Sequence, residues 1–216
     1  MKYLIVCLSA LTLIGCANIQ KKDMSAFNAA APRSILVVPV VNKTLDVDAP
    51  VYVLTTLPIP LANKGYYVFP VNTTKYILEQ EGLYEGDRIL TMPVPTLAKM
   101  FGADAILYVT IKRWDAQYAF IATTVTVEFD YKMVAADGTV IWEENKKMAY
   151  SPQNSGGGGL GGLIAAAISA AITRAAPNYM PLAQSAHQQV FLMGPNQLPD
   201  GPYNTPAKWE PLLTKG

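Results

Sequence analysis

Thr124-Val-Thr-Val-Glu-Phe-Asp-Tyr-Lys-Met133 decides the architecture of this chain. Thr124, Thr126, Glu128, Asp130 and Lys132 alternate with Val125, Val127, Phe129, Tyr131 and Met133. That period of two belongs to a strand with one buried face and one wet face. Asp137-Gly138 follows, the strongest short-range hairpin signal in the sequence, because a two-residue turn needs the left-handed backbone these residues tolerate. Three long strands are therefore predicted over 103–118, 121–136 and 139–150, joined as an antiparallel meander.

Upstream the pattern changes. Ser34-Ile-Leu-Val-Val-Pro-Val-Val41 is apolar at consecutive positions, as a strand buried on both faces should be, and Pro39 predicts an end or a bulge there. Asp48 is placed to cap a helix over 50–64, which Pro58 and Pro60 should kink or restart and Gly65 should stop. A second strand is expected over 66–71, then a helix over 74–81 capped by Asn72 or Thr73. A loop over 82–95 and a helix over 95–101 complete this part. The predicted fold is α/β (α+β): a single domain with a mixed β-sheet, an antiparallel meander and flanking helices. A final helix over 181–193 should pack on the sheet.

The amino terminus carries a different message. Lys2 precedes an apolar run from Tyr3 to Ile14, and the run ends at Gly15-Cys16. This layout is that of a secretory signal, and about a dozen apolar residues are too few to span a bilayer as a helix. Leu13-Ile-Gly-Cys16 closely resembles the lipobox of bacterial lipoproteins. The resemblance implies cleavage before Cys16 and acylation of that cysteine, palmitate included. Several chains would hold the protein durably, since a single one binds only marginally. Ala17 stands where an inner-membrane lipoprotein would carry Asp, which implies the outer membrane, with the domain facing the periplasm or the cell surface. The expected organisation is a signal peptide over 1–15, a lipidated tether over 16–33, the globular domain over 34–193 and a proline-rich tail over 194–216.

Cleavage would also remove Cys7, leaving Cys16 as the one cysteine, so no intrachain disulfide, zinc cluster or redox pair is expected. With 17 basic and 16 acidic residues in the full chain, losing Lys2 leaves a net charge of about zero. Lys and Arg are scattered rather than striped, which argues against nucleic-acid binding. About 200 residues remain, enough for one domain with a proper core.

Candidate sites are few. His187 is the one histidine, and its neighbours Gln184, Ser185 and Gln188 offer no partner for a triad or metal site; an ordinary exposed or hydrogen-bonded histidine is expected. Glu79, Glu81, Glu85 and Asp87 form an acidic group without the spacing of a calcium loop, and read as solvated. The glycine run 156–162 lacks the Lys-Ser/Thr of a phosphate loop. Beyond it, Leu160, Leu163, Ile164, Ile168 and Ile172 fall three or four apart, one stripe of a helix. Small residues around them permit close helix approach. That helix covers either the domain's own sheet or a partner subunit, with lipid the third option.

Five segments carry a wider resemblance: Ser34-Ile-Leu-Val-Val-Pro39, Tyr52-Val-Leu-Thr-Thr-Leu57, Pro60-Leu-Ala-Asn-Lys-Gly-Tyr-Tyr-Val68, Phe101-Gly-Ala-Asp-Ala-Ile-Leu-Tyr-Val109 and Gly138-Thr-Val-Ile-Trp-Glu143. Over roughly residues 16 to 190 the chain resembles a family of bacterial outer-membrane lipoproteins of unassigned function. More distantly it is similar to CsgG, LpoB and the amino-terminal domain of TolB. The resemblance implies a mixed-sheet domain and a non-catalytic part in envelope assembly, secretion or transport. No cofactor is expected; the expected partners are the membrane through acylated Cys16, further copies of the chain, and other envelope proteins. The rival readings are a cell-wall-active enzyme or small-ligand carrier, and an oligomeric pore subunit.

Overall fold

The computed structural model describes residues 21–119, 122–151 and 179–204. Its sheet contains β1 (Ser34–Val37), β2 (Val41–Asn42), β3 (Tyr67–Val68), β4 (Ala105–Ala119), β5 (Ala122–Ala135) and β6 (Val140–Tyr150). The order is β3-β1-β4-β5-β6, with β2 also paired to β4. β1 runs parallel to both β3 and β4, whereas β4, β5 and β6 form the expected antiparallel meander. The fold is the predicted mixed sheet with flanking helices.

β1 and β2 are the single strand expected over 34–41, broken at Pro39. Val37 pairs with Leu107 and Val41 with Thr110, so four steps on one side face three on the other. A proline has no N–H to give the ladder, and the extra residue forms a bulge around it. At the foot of β1, Asp104 accepts hydrogen bonds through one carboxylate oxygen from the Arg33 and Ser34 amides (3.0 and 2.9 Å) and from the Ser34 hydroxyl (2.9 Å). This clasp pins the register of the parallel pair.

Helices cover both faces. On one side lie α1 (Ser25–Ala30), α2 (Ala49–Thr56), α3 (Pro58–Asn63) and α7 (Met180–Gln188), the last continuing as a π-helical turn, Gln189–Met193. They bury Phe27, Val53, Leu57, Leu61, Leu182 and Phe191 against Ile35, Leu107, Phe129 and Tyr131 of the sheet. On the other side α4 (Val71–Gln80), α5 (Gly86–Ile89) and α6 (Val94–Phe101) pack Leu78, Ile89 and Leu97 onto Leu36, Ile106 and Val134.

Several boundaries differ from the sequence-based expectation. Of the two outcomes expected at the prolines within 50–64, the helix restarts: two helices part at Leu57, where Pro58 opens the second. Asp48 makes no side-chain cap there; Asp46 accepts from the Asp48 and Ala49 amides instead (2.9 and 3.1 Å). α4 starts at Val71, ahead of Asn72, because Pro70 (φ −58°) already turns the chain into the helix. The loop over 82–95 contains α5, anchored by buried Ile89.

The span expected as a free tether also carries structure. Phe27 of α1 is buried edge-on against Tyr66 at 6.3 Å, and Asp23 caps the helix by accepting from the Ser25 amide and hydroxyl. Nor is the start of the proline-rich tail free. Leu198 is fully buried, the Tyr66 hydroxyl donates to the Pro199 carbonyl (2.7 Å), and the Gly201 amide donates to Lys64 (2.8 Å). Gly65 has a φ of +91° and lies so close to Asn204 that a Cβ there would collide with its backbone.

β4 contains the decisive local irregularity. Ile111 pairs with Phe129, but Arg113 pairs with Glu128, so Lys112 is an extra residue. Strict alternation from Leu107, Val109 and Ile111 would turn Arg113 and Asp115 into the core. The bulge resets the phase: Trp114 enters the core, and Arg113 and Asp115 pair on the opposite side at 3.1 Å. Inserting one Ala between Arg113 and Trp114 should turn Asp115 inward and Trp114 outward and cost on the order of 3 kcal/mol or more, whereas Lys112→Ala should stay within about 1 kcal/mol. Urea unfolding of the two variants checks this.

Candidate functional site

The chain passes from β1 to β3 in one direction and from β3 over β1 to β4 in the other. Reversing direction this way opens a crevice beyond the carboxyl end of the central strand, the usual ligand position in α/β sheets. Here the crevice measures about 370 Å³ and lies between the Pro39–Pro50 segment and Tyr84–Asp87. Its floor is apolar, with Pro39, Val40, Val51 and Leu54, and Lys75, Glu85 and Asp87 stand on its rim. Gly86 makes one wall possible: a Cβ there would stand 2.6 Å from the Val40 carbonyl oxygen.

The loop beside the crevice is tightly bonded. Asn42 accepts from the Thr44 amide and hydroxyl (3.0 and 2.8 Å) and donates to the Asp46 carbonyl (2.8 Å). Asp46 in turn holds the first amides of α2. This ordered frame leaves Leu45 entirely exposed and Val47 83% exposed. Beyond it a shallower concavity of about 600 Å³ is lined by Lys43, Leu45, Lys112, Arg113, Trp114 and Tyr179. The Trp114 indole N–H is buried there without a hydrogen-bond partner.

The acidic group divides into separate pairs. Glu79 binds Lys75 one turn away, Asp87 binds Lys43 at 2.7 Å, and Glu85 stands on the crevice rim. Among the described residues no cluster of three or more His, Cys, Asp or Glu side chains could hold a metal.

His187 is neither exposed nor fully hydrogen-bonded. α7 carries it into the core, where Phe129, Tyr131 and Phe191 surround it at ring distances of 4.9, 5.7 and 6.4 Å. Nδ1 shares a 2.8 Å hydrogen bond with the Tyr131 hydroxyl, and Nε2 has no partner. Desolvation lowers its pKa to about 3, so the ring is neutral at pH 7. Cys16 and the stripe Leu160, Leu163, Ile164, Ile168 and Ile172 lie outside the described residues. The Leu45/Val47 loop was missed by sequence reading; its signal was Asn42 and Asp48 bracketing two apolar residues on either side of Asp46.

The GNA1162-like family, described as putative lipoproteins, matches residues 22–203. The chain belongs to this family. The Neisseria meningitidis serogroup B protein named putative lipoprotein NMB1124/NMB1162 is 32% identical over 172 residues, covering 78% of this chain and 80% of that protein. The crystal structure of lipoprotein GNA1162 from Neisseria meningitidis is similar at 30% identity and a TM-score of 0.56, over 64% of this chain and 96% of that one. The LpoB carboxy-terminal domain from Escherichia coli is similar at 22% identity and a TM-score of 0.35, over 55% of this chain and 83% of that one. As a member of the GNA1162-like family, the chain is a membrane-anchored lipoprotein of the cell envelope.

The buried histidine has a measurable consequence. Its folded pKa is depressed below the ordinary 6.5, so the stability it allows is complete above pH 6.5 and is lost as pH falls toward 3. Over that window it should cost about 1.4 kcal/mol per pH unit. In His187→Gln, which keeps an acceptor for Tyr131, the slope of unfolding free energy against pH should fall by one proton; chemical denaturation between pH 4 and 6 measures it.

Proposed function

We propose that this protein is held on the outer membrane by acyl chains on Cys16 and works as a non-catalytic docking component, associating with further copies of itself and with other envelope proteins in a secretion or transport assembly. The observation that carries this reading is the Leu45/Val47 loop. Two large apolar side chains stand in water on a backbone already fixed by Asn42 and Asp46. Exposed apolar groups on a preorganised frame have the character of interface anchors, because little entropy is lost when a partner covers them. Two neighbouring polar pairs are already committed, Lys43 to Asp87 and Lys75 to Glu79, which leaves shape, apolar contact and the Glu85 carboxylate as the crevice's means of recognition.

Self-association is assigned to the stripe Leu160, Leu163, Ile164, Ile168 and Ile172, whose spacing and small neighbours suit a close helix contact. A small-ligand carrier is the second reading, favoured by a crevice volume within the range of ligand pockets.

Replacing both Leu45 and Val47 by Ser should leave stability within about 0.5 kcal/mol, as for surface positions generally, and should abolish adducts formed in cells by a photo-crosslinker placed at Tyr84. Unchanged adducts would remove the loop from the docking surface. Light scattering on the lipid-free domain should show an oligomer that becomes a monomer when 160–176 is deleted; a monomer indifferent to the deletion sinks the self-association claim.

A further inference from the structure

The anchor and the folded domain are separated by very little chain. Lys22 is already part of the domain: its amide donates to the Asn196 side chain (3.0 Å), and its ammonium contacts the Glu143 carbonyl and lies 3.2 Å from the Glu144 carboxylate. Asp23 then caps α1, and Phe27 is buried. From Cys16 to Lys22 there are six Cα-to-Cα steps, and a chain of that length spans about 20 Å at full extension. Whatever path residues 17–21 take, a lipidated Cys16 cannot be farther than this from Lys22.

The position of that attachment in the sheet gives the leash a direction. Glu143 faces Lys132 of β5, which faces Tyr108 of β4, so Lys22 joins the domain near the amino-terminal end of β4. This is also the end at which β1 starts and the 137–138 turn lies. Val140, 41% exposed, lines one concavity there together with Lys22 and Met24, and Met193, 68% exposed, stands three residues before the Asn196 that accepts a hydrogen bond from the Lys22 amide. In the other direction β4 continues nine residues beyond Tyr108 to Gln117, about 30 Å at the rise of a strand, farther than the leash can reach.

We propose that the end of the domain bearing Lys22, Val140 and Met193 lies directly on the lipid surface, with the β4–β5 hairpin and the crevice at the carboxyl end of β1 directed away from it. The proposal rests on acylation of Cys16. Its partner is the headgroup layer of the bilayer, contacted by the apolar side chains of Val140 and Met193 because the short chain holds them there. The leash limits distance, and these two exposed apolar groups at its root set the orientation.

The test uses the full-length acylated protein in phosphatidylcholine vesicles containing a spin-labelled lipid. Once Cys16 is acylated the mature chain has no other free thiol, so Val140→Cys, Met193→Cys and Gln117→Cys each take one fluorophore. Quenching should be several-fold stronger at 140 and 193 than at 117. Equal quenching at the three sites, or stronger quenching at 117, overturns the proposed orientation. Inserting twenty Gly/Ser residues after Ala17 should bring the quenching at 140 down to that at 117 while the protein still floats with the vesicles. Unchanged quenching would show that the leash does not set the contact, and would overturn the proposal. Flotation of the parent protein and of Cys16→Ser separates the two claims: if neither floats, or both do, the anchor reading itself fails.

Discussion

The alignment of β1 with β4 is the constraint from which the remaining structure follows. β4 has a parallel neighbour on one side and an antiparallel one on the other, so its first residues are buried on both faces. Ile106 and Leu107 meet different cores, and a shift of one residue would exchange them. The clasp between the exposed Asp104 carboxylate and the Arg33–Ser34 backbone removes that freedom. Once the register is set, right-handed connections in opposite directions must place α2–α3 and α4–α6 on opposite faces. The crevice at the end of β1 is the space those two connections cannot fill.

Further along β4 one face keeps its apolar packing while the other carries charged side chains, and the residue pattern changes to match. Val125, Val127 and Phe129 of β5 point toward α7, while Lys112 lies 3.3 Å from Asp130 and Lys132 lies 3.7 Å from Glu143 on the solvent side. The bulge at Lys112 is the joint between the two regimes. It also explains why Trp114, three residues after Ile111, can share a core with it.

Much of this was legible in the residues. The alternation in Thr124–Met133, the Asp137-Gly138 turn and the two-faced strand ahead of Pro39 are local patterns, and each reports its own secondary structure. What could not be read depended on contacts between distant segments. Phe27 lies in a polar, alanine-rich stretch and gives no periodic signal; it is ordered because Tyr66, almost forty positions later, offers a ring to pack on. Leu198 and Gly201 are held by Tyr66 and Lys64 across an even longer separation. His187 looked unremarkable because its surroundings come from β5 and the π-helical turn, not from its sequence neighbours. The crevice was invisible for the same reason, although Asn42 and Asp46 marked its loop.

The uneven sequence separation of these contacts has a consequence for how the chain reaches its final form. Hairpin contacts between β4, β5 and β6 close short loops, whereas the β1–β4 pairing and the Asp104 clasp close one of about seventy residues. Loop-closure entropy makes the distant pairings the slower ones. The segment that must wait longest for its docking site is α1, since Phe27 needs Tyr66 and the Lys22 ammonium needs Glu143 and Glu144 in place first. The amino-terminal end therefore has no complete docking site until the meander exists, and its capture cannot precede that step.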